Sequence, residues 1–223
     1  MVLFHGSPYI IDKPEYGKGR PNNDYGRGFY CTEDKLLAKE WAVDENRDGY
    51  VNQYELDLDG LKVIDLNSEE YCVLHWITIL LNNRRFDLDT PLSREAYRYL
   101  SDNFMPDLSR ADVIRGYRAD DSYFSFAQDF INGTISVRQL GNAMKLGELG
   151  TQFVLKSKKA FAAIRFEGYE TAKASEWFAK KELRDKTARR QYLDVERNKR
   201  QRGDLYIVQI MDEEIKGDDP RLR

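Results

Sequence analysis

Between residues 25 and 46 the hydrophobic pattern changes period, and this sets a strand directly against a helix. Gly26 and Gly28 lead into a predicted strand over residues 25–32, and residues 33–46 follow with helical spacing. Thr32 is the expected cap of that helix. Glu33 and Asp34 suit its N-terminus, and Leu37, Ala38 and Trp41 share one face. A strand end carrying Phe29 and Tyr30 beside a helix carrying Trp41 holds two rings across a gap. Aromatic faces attract a cationic or electron-poor ring by about 0.5–2 kcal/mol, so the gap suits a flat heterocycle such as nicotinamide. His5, Gly6 and Ser7 stand ahead of the rings, at the end of a predicted buried strand over residues 2–5. A histidine there can hydrogen-bond a sugar hydroxyl, and the constellation reads as a dinucleotide pocket without a Rossmann loop. The same residues also have a plain reading. His5 ends a strand, Gly6 makes a turn, and Tyr30 and Trp41 fill the core.

Downstream, strands and helices of uneven length alternate, which predicts a mixed α+β class. Strands are expected over residues 51–58, 61–66, 111–116, 150–155, 160–166 and 205–210. An apolar helix capped by Asn67 or Ser68 runs to about residue 81, and further helices are expected over 91–100 and 121–130. A long polar helix or helix pair spans about 170–202, ahead of a charged tail with Pro220. Connections are short and no repeat or low-complexity linker interrupts them. Residues 1–223 are therefore expected to form one domain with a basic helical extension from about residue 170.

Composition narrows the chemistry. The 223 residues are 41% hydrophobic, enough for a sizeable core, and 35 basic against 38 acidic residues leave a net charge of -3. No global field draws such a chain to nucleic acid or to a membrane surface. No apolar run approaches the roughly 18 residues of a membrane span, and the first residues lack the pattern of a secretory signal. Cys31 and Cys72 lie in apolar surroundings and are expected reduced, in a cytoplasm. His5 and His75 are too few for a histidine-rich metal centre, so no metal is expected. A Walker glycine loop, a Rossmann fingerprint and a nucleophile elbow are all absent.

Taken in order, His5-Gly6-Ser7, Gly26-Arg27-Gly28-Phe29-Tyr30, Trp41 and Thr151-Gln152-Phe153-Val154-Leu155 resemble the ADP-ribosyltransferase superfamily, in its diphtheria-toxin and poly(ADP-ribose) polymerase branch. More narrowly, residues 112–124 and 71–87 look like a bacterial family often encoded in toxin-antitoxin pairs. The resemblance runs from about residue 2 to 166. It implies an ADP-ribosyltransferase-like split β-sheet core, two small sheets clasping a cleft, with helices around them. It also implies NAD as co-substrate, transfer of ADP-ribose to a protein or nucleic-acid acceptor, and an antitoxin protein as a further partner. NAD hydrolysis and a non-catalytic NAD-binding module are the alternatives.

Position by position, the resemblance gives His5 the nicotinamide-ribose hydroxyl and the Gly6 backbone the carboxamide, with Ser7 beside them. A side chain at Gly6 is expected to obstruct that contact. Tyr30, reached through Gly28 and Phe29, takes one face of the nicotinamide, and Trp41 takes the other. Ala38 stands where polymerase members often carry a serine, so the carboxamide contact is either lost or supplied by Ser7. Arg20, otherwise an exposed loop arginine, is expected to clamp the pyrophosphate in a bidentate way.

Gln152 is the departure that matters. The superfamily usually places a glutamate there, whose charge stabilises the oxocarbenium-like ribose as nicotinamide departs. An amide can hold a hydroxyl but supplies no net charge. Gln152→Glu is therefore expected to raise or create transfer. The natural chain either binds NAD without turnover, transfers ADP-ribose to a nucleophile needing no strong base, or draws another carboxylate into the site. Asp120, Asp121 and Glu148 are the candidates, with Asp120 assigned to the cofactor site. Helix capping is the plain role for one of the two aspartates. Over residues 180–202, ten basic residues face four acidic ones, either a solvated helix face or a surface for an acidic partner.

Overall fold

The computed structural model describes residues 1–119, 121–146, 150–194 and 196–222, with the backbone alone for 121–123. Its first half runs β1 (Val2–Ser7), β2 (Phe29–Thr32), α1 (Lys35–Ala42), β3 (Gly49–Leu56), β4 (Val63–Asp65), α2 (Val73–Asn83) and α3 (Pro91–Phe104). The second half runs β5 (Val113–Tyr117), α4 (Asp121–Ile131), α5 (Val137–Ala143), β6 (Thr151–Leu155), α6 (Lys158–Ala163), β7 (Ile164–Ala172), α7 (Ala174–Asp194) and α8 (Ile207–Asp212). The class is α+β, as the alternation of periods predicts.

All seven strands join one sheet in the order β4-β5-β6-β2-β1-β3-β7, antiparallel throughout except for β4 beside β5. The two sheets expected from the resemblance are halves of this one. The halves meet at β1 and β2, where a single residue pair, Phe4 with Thr32, carries the register. Each half is paired in depth: β1 matches β3 over six residues from Val2 to Ser7, and β2 matches β6 over all four of its own.

Alternation along the strands divides the core between the two sheet faces. Ile114 and Val154 point into the larger cluster with Leu74, Trp76, Phe126 and Ile210 from the helices. Their neighbours Val113, Phe153 and Leu155 point the other way, to Leu3, Phe29, Cys31 and Tyr54. A smaller cluster of Ala38, Ala42, Val51 and Trp177 seats α1. Helix α7 is tied to α1 by Arg184, whose Nε and Nη2 donate to the buried Glu40 carboxylate at 2.9 and 2.8 Å.

Several boundaries differ from the expected ones for local reasons. Thr32 is still in β2, so Asp34 caps α1, accepting from the Leu36 and Leu37 amides at 2.7 and 3.2 Å. The helix stops at Ala42, because Asp44 and Arg47 bridge and the chain turns back into β3. Residues 160–163 belong to α6, capped by Ser157, and the strand expected there starts only at Ile164. That edge strand runs to Ala172, which delays α7 to Ala174. Residues 205–210 are not a strand. Ile207 and Ile210 bury one helical face of α8, and Gln209 accepts from the Tyr206 amide at its start. Helix α5 had a legible signal in Ser136-x-x-Gln139, a reciprocal capping box with bonds of 3.2 and 3.0 Å.

Glycine sets how closely α1 lies on the sheet. A Cβ on Gly6 would stand 2.1 Å from the Ala38 carbonyl oxygen and 2.9 Å from Trp41 Cβ, and one on Gly49 2.0 Å from the Ala42 carbonyl oxygen. The missing side chain of Gly6 thus makes room for the helix, and this contact brings Trp41 beside the end of β1. Gly6→Ala is expected to destabilise the fold by about 1–3 kcal/mol, the usual cost of forcing extra volume into a packed contact. Urea denaturation with an unchanged midpoint would remove the close-approach argument.

Candidate active site at the sheet seam

Where β1 and β2 part, a cavity of about 880 Å³ opens, inside the roughly 300–1,000 Å³ range of small-molecule and cofactor sites. His5, Gly6 and Ser7 line it from β1, and Gly28, Phe29 and Tyr30 from the chain entering β2. Trp41 reaches it from α1, Gln152 from β6 and Arg20 from the loop between β1 and β2. These nine are the expected site residues. Asp120, Glu148 and the side chain of Asp121 lie outside the described residues.

His5 closes the seam. Its Nδ1 lies 2.6 Å from the Tyr30 carbonyl oxygen, and because a carbonyl only accepts, Nδ1 carries the proton. Nε2 is then the free acceptor of a neutral ring. Burial pushes the His5 pKa below its ordinary value, against the bond to Tyr30. Phe29 packs beneath the imidazole at 4.5 Å between centroids, and its own ring meets Tyr54 and Phe161. Its side chain supports His5 from the core.

The loop from residue 8 to 24 forms the outer wall and is pinned at several points. Asn52, fully buried in β3, accepts from the Ile11 amide at 2.9 Å and donates to the Tyr9 carbonyl at 3.1 Å. Ser7 Oγ accepts from the Tyr9 amide at 3.1 Å and keeps its own proton for another acceptor. Gly19 lies on Gly28, where a Cβ would stand 2.3 Å from the Gly28 carbonyl oxygen. Lys156 Nζ donates to the Tyr25 and Arg27 carbonyls and holds the turn at Gly26, whose φ of 70° favours glycine. Tyr30 Oη bridges the same turn, donating to the Gly26 carbonyl and accepting from the Tyr25 amide. Burial raises the Tyr30 pKa, so the phenol stays neutral.

The two rings differ in their surroundings. Tyr30 is fixed by its hydroxyl, whereas Trp41 carries the Arg118 guanidinium over its ring at 4.1 Å. The buried Trp41 Nε1 has no hydrogen-bond partner among the described residues. Arg118 and Arg84 also line the cavity. Together with Lys13, Lys18 and Arg20, they oppose Glu15 and Asp24, so the wall is positive although the chain is acidic. Such a lining attracts phosphate-bearing ligands.

Asp24 is the group that sequence reasoning assigned no role. It is buried on the cavity wall, and its Oδ2 accepts from the Ala119 amide at 3.0 Å and from Gln152 Nε2 at 3.1 Å. Gln152 Nε2 also donates to the Tyr117 carbonyl at 3.1 Å. Burial raises the Asp24 pKa, opposed by those two donors and by Arg84 and Arg118. A carboxylate therefore stands next to Gln152, though not one of those expected. Residues 24, 84, 118 and 152 share no spacing that could have announced it.

Residues 1–166 match a family described as Protein of unknown function (DUF3990). The chain belongs to that family. No curated protein and no solved structure matches it. The matched region of this DUF3990 member holds every residue placed at the cavity above. The basic run beyond it is largely neutralised in place. Lys180, Arg184, Lys186, Arg189, Arg197 and Lys199 each have an acidic partner within the chain. Among the described residues, no helix is long and apolar enough to cross a membrane, and no group of three or more acidic, histidine or cysteine residues could hold a metal ion.

His5 gives the site a pH signature. Its folded pKa lies below the ordinary value near 6.5, so the unfolded chain takes up the proton first and stability falls as pH drops from about 7. His5→Gln is expected to flatten that loss between about pH 7 and 5 in thermal melts. Parallel curves for the two proteins would show that the imidazole is not held neutral.

Proposed function

We propose that this DUF3990 member transfers ADP-ribose from NAD to a macromolecular acceptor, protein or nucleic acid. One observation carries the reading: the histidine, both rings, the glutamine and the loop arginine, drawn from five separated stretches of chain, line one cavity. By the resemblance to a family encoded in toxin-antitoxin pairs, we assign it the role of toxin in such a pair, acting in the cytoplasm.

Each residue has a defined part. His5 Nε2 accepts from a ribose hydroxyl, which requires the neutral ring that burial favours. The Gly6 backbone meets the carboxamide, with the Ser7 hydroxyl beside it. Tyr30 and Trp41 flank the nicotinamide, and Arg118 moves off or shares the Trp41 ring it now covers. Arg20, exposed at the rim, clamps the pyrophosphate, and the surplus of basic residues along the wall draws the dinucleotide in. Gln152 holds a ribose hydroxyl through its amide oxygen.

Incubation with labelled NAD and cell lysate is expected to release nicotinamide and leave the ADP-ribose label on protein or nucleic acid. Free ADP-ribose alone would make the protein a hydrolase. Intact NAD with a raised melting temperature would make it a binding module. Arg20→Ala is expected to weaken NAD binding by roughly ten-fold or more while sparing free nicotinamide, since a charged hydrogen bond contributes about 1.5–3 kcal/mol. Equal losses for both ligands would remove the pyrophosphate clamp.

A further inference from the structure

Gln152 is held in one orientation. Both protons of its amide nitrogen are used, one by Asp24 Oδ2 at 3.1 Å and one by the Tyr117 carbonyl at 3.1 Å. Turning the amide over would set Oε1 against two acceptors, so the hydrogen bonds themselves select this orientation. Among the described residues Oε1 has no hydrogen-bond partner, and Gln152 lines the cavity. The glutamine is thereby presented as an acceptor, the part a glutamate would play toward a sugar hydroxyl. What it lacks is charge.

We propose that Asp24 is the positioning carboxylate of this site, orienting Gln152 and lending it the negative charge that the glutamine lacks. The proposal rests on the ADP-ribosyl-transfer reading above. Asp24 is well placed for this role. It is 8% exposed, lines the cavity, and its Oδ2 touches the amide of Gln152 directly. Its second oxygen, Oδ1, lies 3.9 Å from Arg84 Nε, and among the described residues it accepts no hydrogen bond. A negative charge on the nitrogen side of an amide pushes electron density toward its oxygen. In a low-dielectric site, that charge also stabilises positive charge developing nearby.

In the reaction, the bond between ribose C1′ and the pyridinium nitrogen breaks, and its electron pair leaves with neutral nicotinamide. The positive charge passes to C1′ and the ring oxygen of the ribose. A lone pair of the acceptor then forms the new bond to C1′, and the acceptor's proton passes to water. Asp24 acts in its ionised form, which burial opposes and which the Ala119 amide, Gln152 and the two arginines favour. It opposes the ribosyl charge without entering a covalent bond.

The neighbouring carboxylate changes what Gln152→Glu alone should do. It sets two carboxylates 3.1 Å apart or nearly so, which cannot both ionise freely, and no gain in rate is expected. The decisive set is Asp24→Asn, Gln152→Glu and the double variant Asp24→Asn/Gln152→Glu, read by nicotinamide release from NAD, NAD binding and thermal melting. Asp24→Asn is expected to slow nicotinamide release on the order of 100-fold. NAD binding should stay within about three-fold, and the melting temperature should hold or rise, because a carboxyl whose pKa is raised by burial costs stability when ionised. The double variant, which moves the charge from residue 24 to residue 152, is expected to recover to within about ten-fold of the natural chain.

Undiminished release by Asp24→Asn overturns the proposal. So does a folded double variant as slow as Asp24→Asn, since a merely structural Asp24 would not be rescued by charge at 152. Failure of the natural chain to bind or turn over NAD overturns the transfer reading itself and this proposal with it.

Discussion

Between β1 and β2 the ladder holds for a single residue pair, and the His5 imidazole takes up the Tyr30 carbonyl where the backbone pairing ends. Much of the molecule is arranged around that parting. A sheet that opens in its middle exposes backbone and side chains that a continuous sheet would bury. The buried polar groups there must find partners or lose about 1–3 kcal/mol each. His5, Asn52, Tyr30 Oη and Lys156 Nζ supply those partners around the opening. The result is a concave space between two well-paired halves of the sheet.

Packing and electrostatics act on that space from opposite sides. Gly6 and Gly49 let α1 lie against the sheet, which delivers Trp41 to one wall. The Glu40–Arg184 pair then fastens α1 to α7 on the outer side, so the wall is braced by a helix that contributes nothing to the cavity itself. Opposite, the turn at residues 24–28 delivers Asp24 and Tyr30 together. Burial of Asp24 beside Gln152 is unfavourable for a carboxylate taken alone. Two hydrogen-bond donors and two guanidiniums oppose that cost.

The sequence carried a large share of this architecture because its signals are local. Glycines 26 and 28, the apolar spacing through Trp41 and the acidic residues at the start of α1 all act within a turn or a strand. They place Tyr30 and Trp41 on adjoining elements without reference to the rest of the chain. Boundaries failed where a neighbouring segment overrode local preference. Residues 205–210 have apolar residues that fit a strand, yet the core receives Ile207 and Ile210 at helical spacing. Gly6 was legible as a residue that tolerates no side chain, while the reason, the backbone of α1, lies more than thirty residues away in the chain.

By itself the sequence determined the class of fold, the order of strand, rings and helix, and nine residues that line one cavity at the seam. Tertiary structure alone decided that the seven strands are one sheet, and that Asp24 stands beside Gln152. It also decided that arginines 84 and 118 complete the wall. The physical reason is range. Periodicity and capping report which way a residue faces within a few positions of itself, whereas a buried charge and its partners are joined only when distant segments close on one another.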